Sequence, residues 1–111
     1  MSQYINQVAV YQLIQEVGDE NIPFLFGIFC DELDEFIDTL STQPEIEKVR
    51  EISHCIKSSA GSFGADKLAS MAIHIEEKAK QKQYDWVTHN ISEFVNIARG
   101  TELAYRQFLV K

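Results

Sequence analysis

The chain has 111 residues, of which 45% are hydrophobic and 24% charged, and this balance excludes an intrinsically disordered tail. Its five glycines and two prolines are too few for a sandwich of many tight turns, so a single helical domain over residues 1–111 is predicted. The net charge of −7 excludes general nucleic-acid binding, because a phosphate backbone requires a basic surface.

A first helix is predicted over residues 4–17, ending at Gly18, from the apolar residues Tyr4, Val8, Tyr11 and Ile14 at helical spacing. A second helix follows a cap at Asp19 or Asn21 and has Pro23 in its first turn, where a missing N–H does no harm. The apolar positions of the second helix are Leu25, Phe29, Leu33, Phe36 and Leu40.

Residues 41–44 interrupt the helical pattern, and Thr42 with Glu45 resembles a capping box. A third helix is predicted from about Glu45 to Ala60. Its inward positions are Ile46, Val49, Ile52, Ile56 and Ala60.

Gly61 and Gly64 are predicted to bracket a tight connection or a helix irregularity. The final helix begins near Asp85 and either bends or ends at Gly100, while Glu102 falls on its apolar stripe without an evident reason. The fourth helix has the stripe Leu68, Ala72, Ile75 and Ala79, and the last has Val87, Ile91, Phe94, Val95, Ala98, Tyr105 and Leu109.

These amphipathic segments and short connections predict an all-α fold, and no segment alternates as a strand would. We expect an antiparallel up-down four-helix bundle with an additional short N-terminal helix, and a monomer. Two cysteines, no signal peptide and no long apolar run favour a cytoplasmic protein that does not enter the membrane.

Charge is divided unevenly along the chain. Residues 1–47 carry ten acids and no lysine or arginine, whereas residues 48–111 carry all ten basic residues and seven acids. This asymmetry indicates an oriented electrostatic surface whose basic side attracts an acidic partner. The alternative is that the acidic helix faces are simply solvated.

Few catalytic chemistries fit the sequence. The glycines are too scattered for a phosphate-binding loop. No short metal-ligand spacing occurs among Cys30, His54, Cys55, His74 and His89. We therefore predict no cofactor and no metal on this chain.

His54 differs from the other histidines in its position on the third helix. With Val49 set at zero and about 100° per residue, the buried stripe stays within about 60° while His54 falls near 140°. That flank also carries Arg50, Lys57, Ser58 and Gly61. An exposed imidazole among cations and small residues suits attack on phosphorus, because the cations disfavour its protonation and attract transferred phosphate. A surface histidine with incidental neighbours is the alternative.

The run from His54 to Leu68 resembles the signature of histidine-containing phosphotransfer (HPt) domains. In that family the phosphorylated histidine is followed by lysine three places on, by small residues and Gly-Ala, and then by leucine. Those positions are occupied here by Lys57, Gly64, Ala65 and Leu68.

Glu76 matches the family's acidic or amide residue on the next helix. By analogy it accepts the Nδ1 proton of His54 and leaves Nε2 free, although Glu76 also suits a solvated pair with Lys80. Ser58 stands where the family usually has glycine, and Ala60 where a second serine is frequent. The hydroxyl that assists the phosphoryl group is therefore left to Ser58 or Ser59.

The resemblance implies a phosphorelay intermediate of the kind that works in quorum-sensing two-component pathways. His54 would accept a phosphoryl group from the receiver domain of a hybrid sensor kinase and pass it to a response regulator. Mg²⁺ would be held by the receiver, and Arg50, Lys57 and Lys67 would attract its acidic pocket. An apolar docking area is expected near His54, from among Ile14, Phe24, Phe26 and Phe63.

Two other interpretations fit the same sequence. One is an HPt module excised from a longer hybrid kinase. The other is a non-catalytic helical adaptor that binds a receiver without carrying phosphate. The adaptor would retain its activity when His54 is replaced by glutamine, and a carrier would lose it.

Overall fold

A computed structural model of the chain describes residues 3–109. The regular secondary structure in that span consists of α-helices and one 3-10 helix, which confirms the predicted all-α class. No strand occurs within those residues, and none of their helices has the length and apolar content needed to cross a bilayer. A 3-10 turn at Asp19–Asn21 separates the first two of five helices: α1 (Gln7–Val17), α2 (Ile22–Leu40), α3 (Ile46–Phe63), α4 (Asp66–Lys80) and α5 (Tyr84–Arg106).

Capping sets both ends of α1. The Asn6 side chain accepts a hydrogen bond from the Ala9 N–H at 3.1 Å, so the helix begins after Asn6 and three residues later than predicted. The predicted stop at Gly18 is confirmed: its φ is +90°, and its N–H donates to the Ile14 carbonyl. The first residue of α1 is therefore set by the polar cap at Asn6 rather than by the apolar spacing.

The apolar stripe predicted for the first helix was wrong in part, because Ile14 is half-buried against the core but other members are not. The buried residue of α1 is Val10, whereas Val8 and Tyr11 are exposed. The reason is that α1 has only small contacts, with α3 and the 3-10 turn, so that a narrow part of its surface is covered.

Capping at the next two helix starts also differs from the prediction. Asn21 precedes α2, but its side chain donates to the Val17 carbonyl and leaves the first turn of α2 uncapped. The Thr42–Glu45 capping box is absent, because the Thr42 hydroxyl donates back to the Thr39 carbonyl at 2.6 Å.

The core stripe of α2 is displaced by one residue from part of the prediction. Phe29, Leu33 and Leu40 are buried as expected. Phe26 and Ile37 are buried as well, whereas Leu25 and Phe36 are only half-buried. The shift follows from packing, since α2 lies mainly against α5 and α5 selects which edge of the apolar stripe is enclosed.

Aromatic side chains join α2, the end of α3 and α5. The rings of Phe26 and Tyr105 meet edge to face with centroids 4.9 Å apart, and Phe29 stacks on Phe63 at the same distance. The Tyr105 hydroxyl donates to the Phe63 carbonyl at 2.7 Å, and burial raises the pKa of Tyr105. The last turn of α3 is therefore held to α5 by both packing and a hydrogen bond.

The most extensive helix contact joins α3 and α4, followed by the contacts of α5 with α2 and with α4. A smaller contact joins α2 and α3. The face of α4 that supports the candidate site is thus set chiefly by its packing against α3.

The glycines of the α3–α4 connection have different structural roles. Gly61 lies inside α3, so the predicted irregularity there was wrong, and a Cβ at Gly61 would meet no atom within 4 Å. Gly64 ends α3 with φ +83°, and a Cβ there would lie 2.9 Å from the Ala9 Cβ. Of these two glycines, Gly64 is the one that the fold requires.

Gly100 does not end α5, which continues to Arg106, so the predicted end there was wrong. Its missing side chain admits the Tyr4 ring, with which a Cβ at Gly100 would overlap. Leu109 lies in a turn beyond the helix rather than on it.

We expect Gly64→Ala to lower the free energy of unfolding by about 1–2 kcal/mol, because alanine is strained at positive φ and would displace Ala9. Gly61→Ala is the matched control. It should leave stability unchanged or raise it by up to about 1 kcal/mol, because alanine favours a helix more than glycine does. Urea unfolding of both variants measures the difference, and equal losses would contradict the distinction.

Candidate functional site

The helical phase of α3 places His54 on the surface. Val49, Ile52 and Ile56 are buried as predicted, and the His54 side chain on the opposite flank is 63% exposed. Ile46, predicted to point inward, is half-buried. An amphipathic helix therefore presents the imidazole to solvent while its other face packs in the core.

Glu76 on α4 lies beside His54 and is almost enclosed, with 5% of its side chain exposed. Its Oε2 atom lies 2.8 Å from His54 Nδ1, and its Oε1 atom accepts a 2.7 Å hydrogen bond from Lys57 Nζ. Lys80, one turn further along α4, places Nζ 3.6 Å from Oε2. One buried carboxylate thus contacts three nitrogen-bearing side chains from two helices.

These neighbours keep Glu76 ionised. The hydrogen bond from Lys57 is the largest cause, and together with the His54 hydrogen bond and the charges of Lys57 and Lys80 it outweighs burial and lowers the Glu76 pKa from 4.5 to about 2. A carboxylate can only accept hydrogen bonds, so the proton in the His54 contact belongs to Nδ1.

The same contact determines which imidazole nitrogen can react. A neutral imidazole with its proton on Nδ1 has the lone pair on Nε2. Within residues 3–109, His54 makes no hydrogen bond through Nε2. The arrangement is that of a nucleophilic nitrogen held in one tautomer and open to solvent.

The predicted supporting residues lie in different environments. Arg50 forms an ion pair with Glu47 of its own helix at 3.2 Å and makes no contact with Glu76 in the described residues. Lys67 donates to Gln3 at 2.9 Å and lies over the Tyr4 ring, near the N-terminal segment. Of the predicted cations, Lys57 is the one in contact with the His54–Glu76 pair.

The two serines after Lys57 are also distinct. The Ser59 hydroxyl donates to Glu32 Oε1 of α2 at 2.6 Å. Ser58 is exposed, its carbonyl accepts a bond from Ser62, and its own hydroxyl has no partner within residues 3–109. Ser58 therefore has the hydroxyl that is free to meet an incoming group.

The two glycines predicted to support the site differ in exposure. Gly61 is exposed, with open space where a side chain would be. Gly64 is buried, and its carbonyl accepts a 2.8 Å hydrogen bond from the Asn6 N–H. Gly61 thus leaves room near His54, whereas Gly64 supports the chain ahead of α1.

The four candidates for an apolar docking area differ in exposure. Phe24 is exposed, Ile14 and Phe63 are half-buried, and Phe26 is fully buried in the aromatic cluster. Phe24 is therefore the candidate most available to a partner.

The Glu76–Lys80 pair, given as an alternative to the Glu76–His54 contact, occurs together with it. The contact between Ser59 and Glu32 was not predicted. No sequence pattern indicated that Glu32 contacts Ser59, because Glu32 precedes Ser59 by 27 residues and lies on another helix. His74 and His89 are exposed, and within residues 3–109 no group of three His, Cys, Asp or Glu side chains is placed to hold a metal ion.

The Hpt domain family matches residues 25–100, which include α3, α4 and the whole His54–Glu76 cluster. The chain belongs to this family and is a phosphotransfer protein. Among individual relatives, it is 40% identical to the phosphorelay protein LuxU of Vibrio harveyi over 107 residues, which cover 94% of each chain.

Two further relatives carry the same name. The chain is 33% identical to LuxU of Vibrio cholerae over 108 residues, covering 95% of this chain and 96% of the relative. It is 34% identical to LuxU of Vibrio vulnificus strain YJ016 over 104 residues, covering 91% and 90%. No solved structure matches the chain significantly.

Because the pKa of Glu76 is lowered from 4.5 to about 2 in the folded chain, its contribution to stability is complete above about pH 4.5 and is lost as pH falls toward 2. We expect Glu76→Gln to reduce this loss of unfolding free energy between pH 4.5 and 2. Glu77→Gln, an exposed neighbour on α4, is the control and should retain the loss. Denaturant unfolding across this pH range measures both, and identical profiles for the two variants would contradict the role of Glu76.

Proposed function

We propose that His54 accepts a phosphoryl group from an aspartyl phosphate and delivers it to a second aspartate, as the intermediate of a quorum-sensing two-component phosphorelay. The observation that carries this proposal is the exposed imidazole whose Nδ1 contacts a buried carboxylate. Membership of the Hpt domain family and the similarity to LuxU proteins support the relay setting.

The tautomer of His54 determines which atom takes part in the proposed phosphoryl transfer. The Nε2 lone pair attacks phosphorus, and the bond from phosphorus to the aspartyl oxygen breaks with its electron pair, which restores the aspartate carboxylate. Nε2 carries no proton at the start, so none has to leave. The phosphorylated ring is positively charged and retains Nδ1–H, which Glu76 holds. Transfer onward is the same step in reverse.

Lys57 supplies positive charge to the transferred group in this proposal. Its half-buried side chain ends beside the His54–Glu76 pair, from which Nζ can turn toward the oxygens bound to phosphorus. Ser58 and Gly61 leave space for the partner's active site. Ser59 acts indirectly, by holding α3 to Glu32 of α2.

We assign the upstream partner to the receiver domain of a hybrid sensor kinase and the downstream partner to a response regulator. Mg²⁺ belongs to the receiver, and this chain carries no cofactor. The chain is a phosphocarrier without a kinase or ATP site of its own, rather than an enzyme. The proposal also makes it a cytoplasmic monomer that binds neither nucleic acid nor membrane, in keeping with its charge of −7.

The fold proposed for this function is an antiparallel up-down bundle of α2–α5, with α1 as an additional N-terminal helix. The contacts among α2, α3, α4 and α5 and their short connections support it. We assign residues 1–111 to one domain, of which residues 1, 2, 110 and 111 lie outside the described part of the chain.

Incubation with a receiver domain loaded from radiolabelled acetyl phosphate and Mg²⁺ tests the function. The wild-type chain should gain acid-labile, base-stable label on His54, and His54→Gln should gain none while still binding the receiver. His74→Gln replaces another exposed histidine and should be labelled normally. Label elsewhere, or none from any receiver tried, would refute the carrier; unchanged pathway activity of His54→Gln would identify an adaptor instead.

Lys57→Met should slow transfer to His54 on the order of tenfold to a hundredfold, because a cation near the transferred group is removed. The fold should persist, since the methionine retains the apolar part of the side chain. Lys48→Met removes the same charge from an exposed position on α3 and should have little effect. Quenched-flow labelling measures the rates, and a normal rate for Lys57→Met would exclude Lys57 from the mechanism.

A further inference from the structure

In the proposed mechanism, Lys57 has two successive partners, the Glu76 carboxylate and the transferred phosphoryl group. In the structure its Nζ donates to Glu76 Oε1 at 2.7 Å. The two nitrogens of an imidazole lie on different sides of the ring, and Nδ1 is the one that contacts Glu76. We therefore expect Lys57 Nζ to leave Glu76 in order to reach a phosphoryl group on Nε2. The resting contact therefore has to be broken during transfer.

Loss of the hydrogen bond from Lys57 would destabilise the Glu76 carboxylate. Its side chain is 5% exposed, so water cannot fully replace the lost hydrogen bond, and an unpaired buried carboxylate is strongly unfavourable. Without another partner, Glu76 would retain Lys57 and hold it away from the phosphoryl group.

Lys80 is placed to supply the missing partner. Its Nζ lies 3.6 Å from Glu76 Oε2, just beyond a hydrogen bond, and its side chain is 57% exposed and has room to move. The titratable groups around Glu76 are His54 and Lys57 of α3 and Lys80 of α4 itself. The other helix packed on α4 is α5, and within residues 3–109 it contributes no ion pair to Glu76.

We propose that Lys80 is a positioning residue that takes over the Glu76 carboxylate when Lys57 turns to the phosphoryl group. This inference rests on the proposed function of His54 and adds a residue to it. Lys80 does not touch the phosphoryl group. It acts by making Lys57 available.

This proposal predicts how the effects of Lys57 and Lys80 substitutions on the transfer rate combine. If Lys80 acts only by releasing Lys57, its removal matters only while Lys57 is present. Lys80→Met should then slow transfer, and adding Lys80→Met to Lys57→Met should slow it no further. Two lysines that acted independently on the phosphoryl group would instead give rate losses that multiply.

The experiment is a double-mutant cycle on the initial rate of transfer from a receiver loaded from acetyl phosphate with Mg²⁺. We expect Lys80→Met and Lys80→Gln each to slow transfer about two- to fivefold, the range of a partly exposed ion pair. Lys80→Arg should restore the wild-type rate, because it keeps the charge. Lys48→Met is the net-charge control and should transfer normally.

The outcomes separate this inference from the proposed function. An unlabelled wild-type chain would refute the phosphocarrier function itself. A labelled wild-type chain with normal rates for Lys80→Met and Lys80→Gln would refute only the role of Lys80. Multiplying losses in the double variant, failure of Lys80→Arg to restore the rate, or equal slowing by Lys48→Met would refute it as well.

Discussion

A carboxylate enclosed between two helices has to be compensated by hydrogen bonds and positive charge, and Glu76 obtains both from His54, Lys57 and Lys80. This requirement ties the chemistry to the packing, because two of these residues come from α3 and two from α4. The position of the imidazole, its tautomer and the nearby cation all follow from one buried ion. The contact between α3 and α4, the most extensive in the protein, keeps these distances short.

Much of the fold was predictable because local patterns agree with the final packing. The stripe of Val49, Ile52 and Ile56 placed His54 on an exposed flank by helical geometry alone. Gly18 ends α1 as its conformational freedom suggests. The pairing of Glu76 with His54 came from family resemblance, since no local rule connects residues on different helices at a separation of 22.

The parts that could not be predicted depend on contacts between distant segments. Phe26 is buried in preference to Leu25 because aromatic rings from α3 and α5 meet it. Glu102 lies on an apolar stripe because its carboxylate pairs with Arg106 at 2.7 Å, which lets a charged side chain stay largely covered. Arg50 has the right helical phase for the site, yet Glu47 on the same helix binds it.

The bond from the Tyr105 hydroxyl to the Phe63 carbonyl has a mechanical consequence for α3, the helix that carries His54. Sliding of α3 along its axis would break this bond and separate the stacked rings of Phe29 and Phe63. The C-terminal end of α3 is therefore fastened to α2 and α5. The motion that the proposed transfer asks of this chain is a change of lysine rotamer, which takes picoseconds to nanoseconds on a protein surface and leaves the anchored backbone where it is.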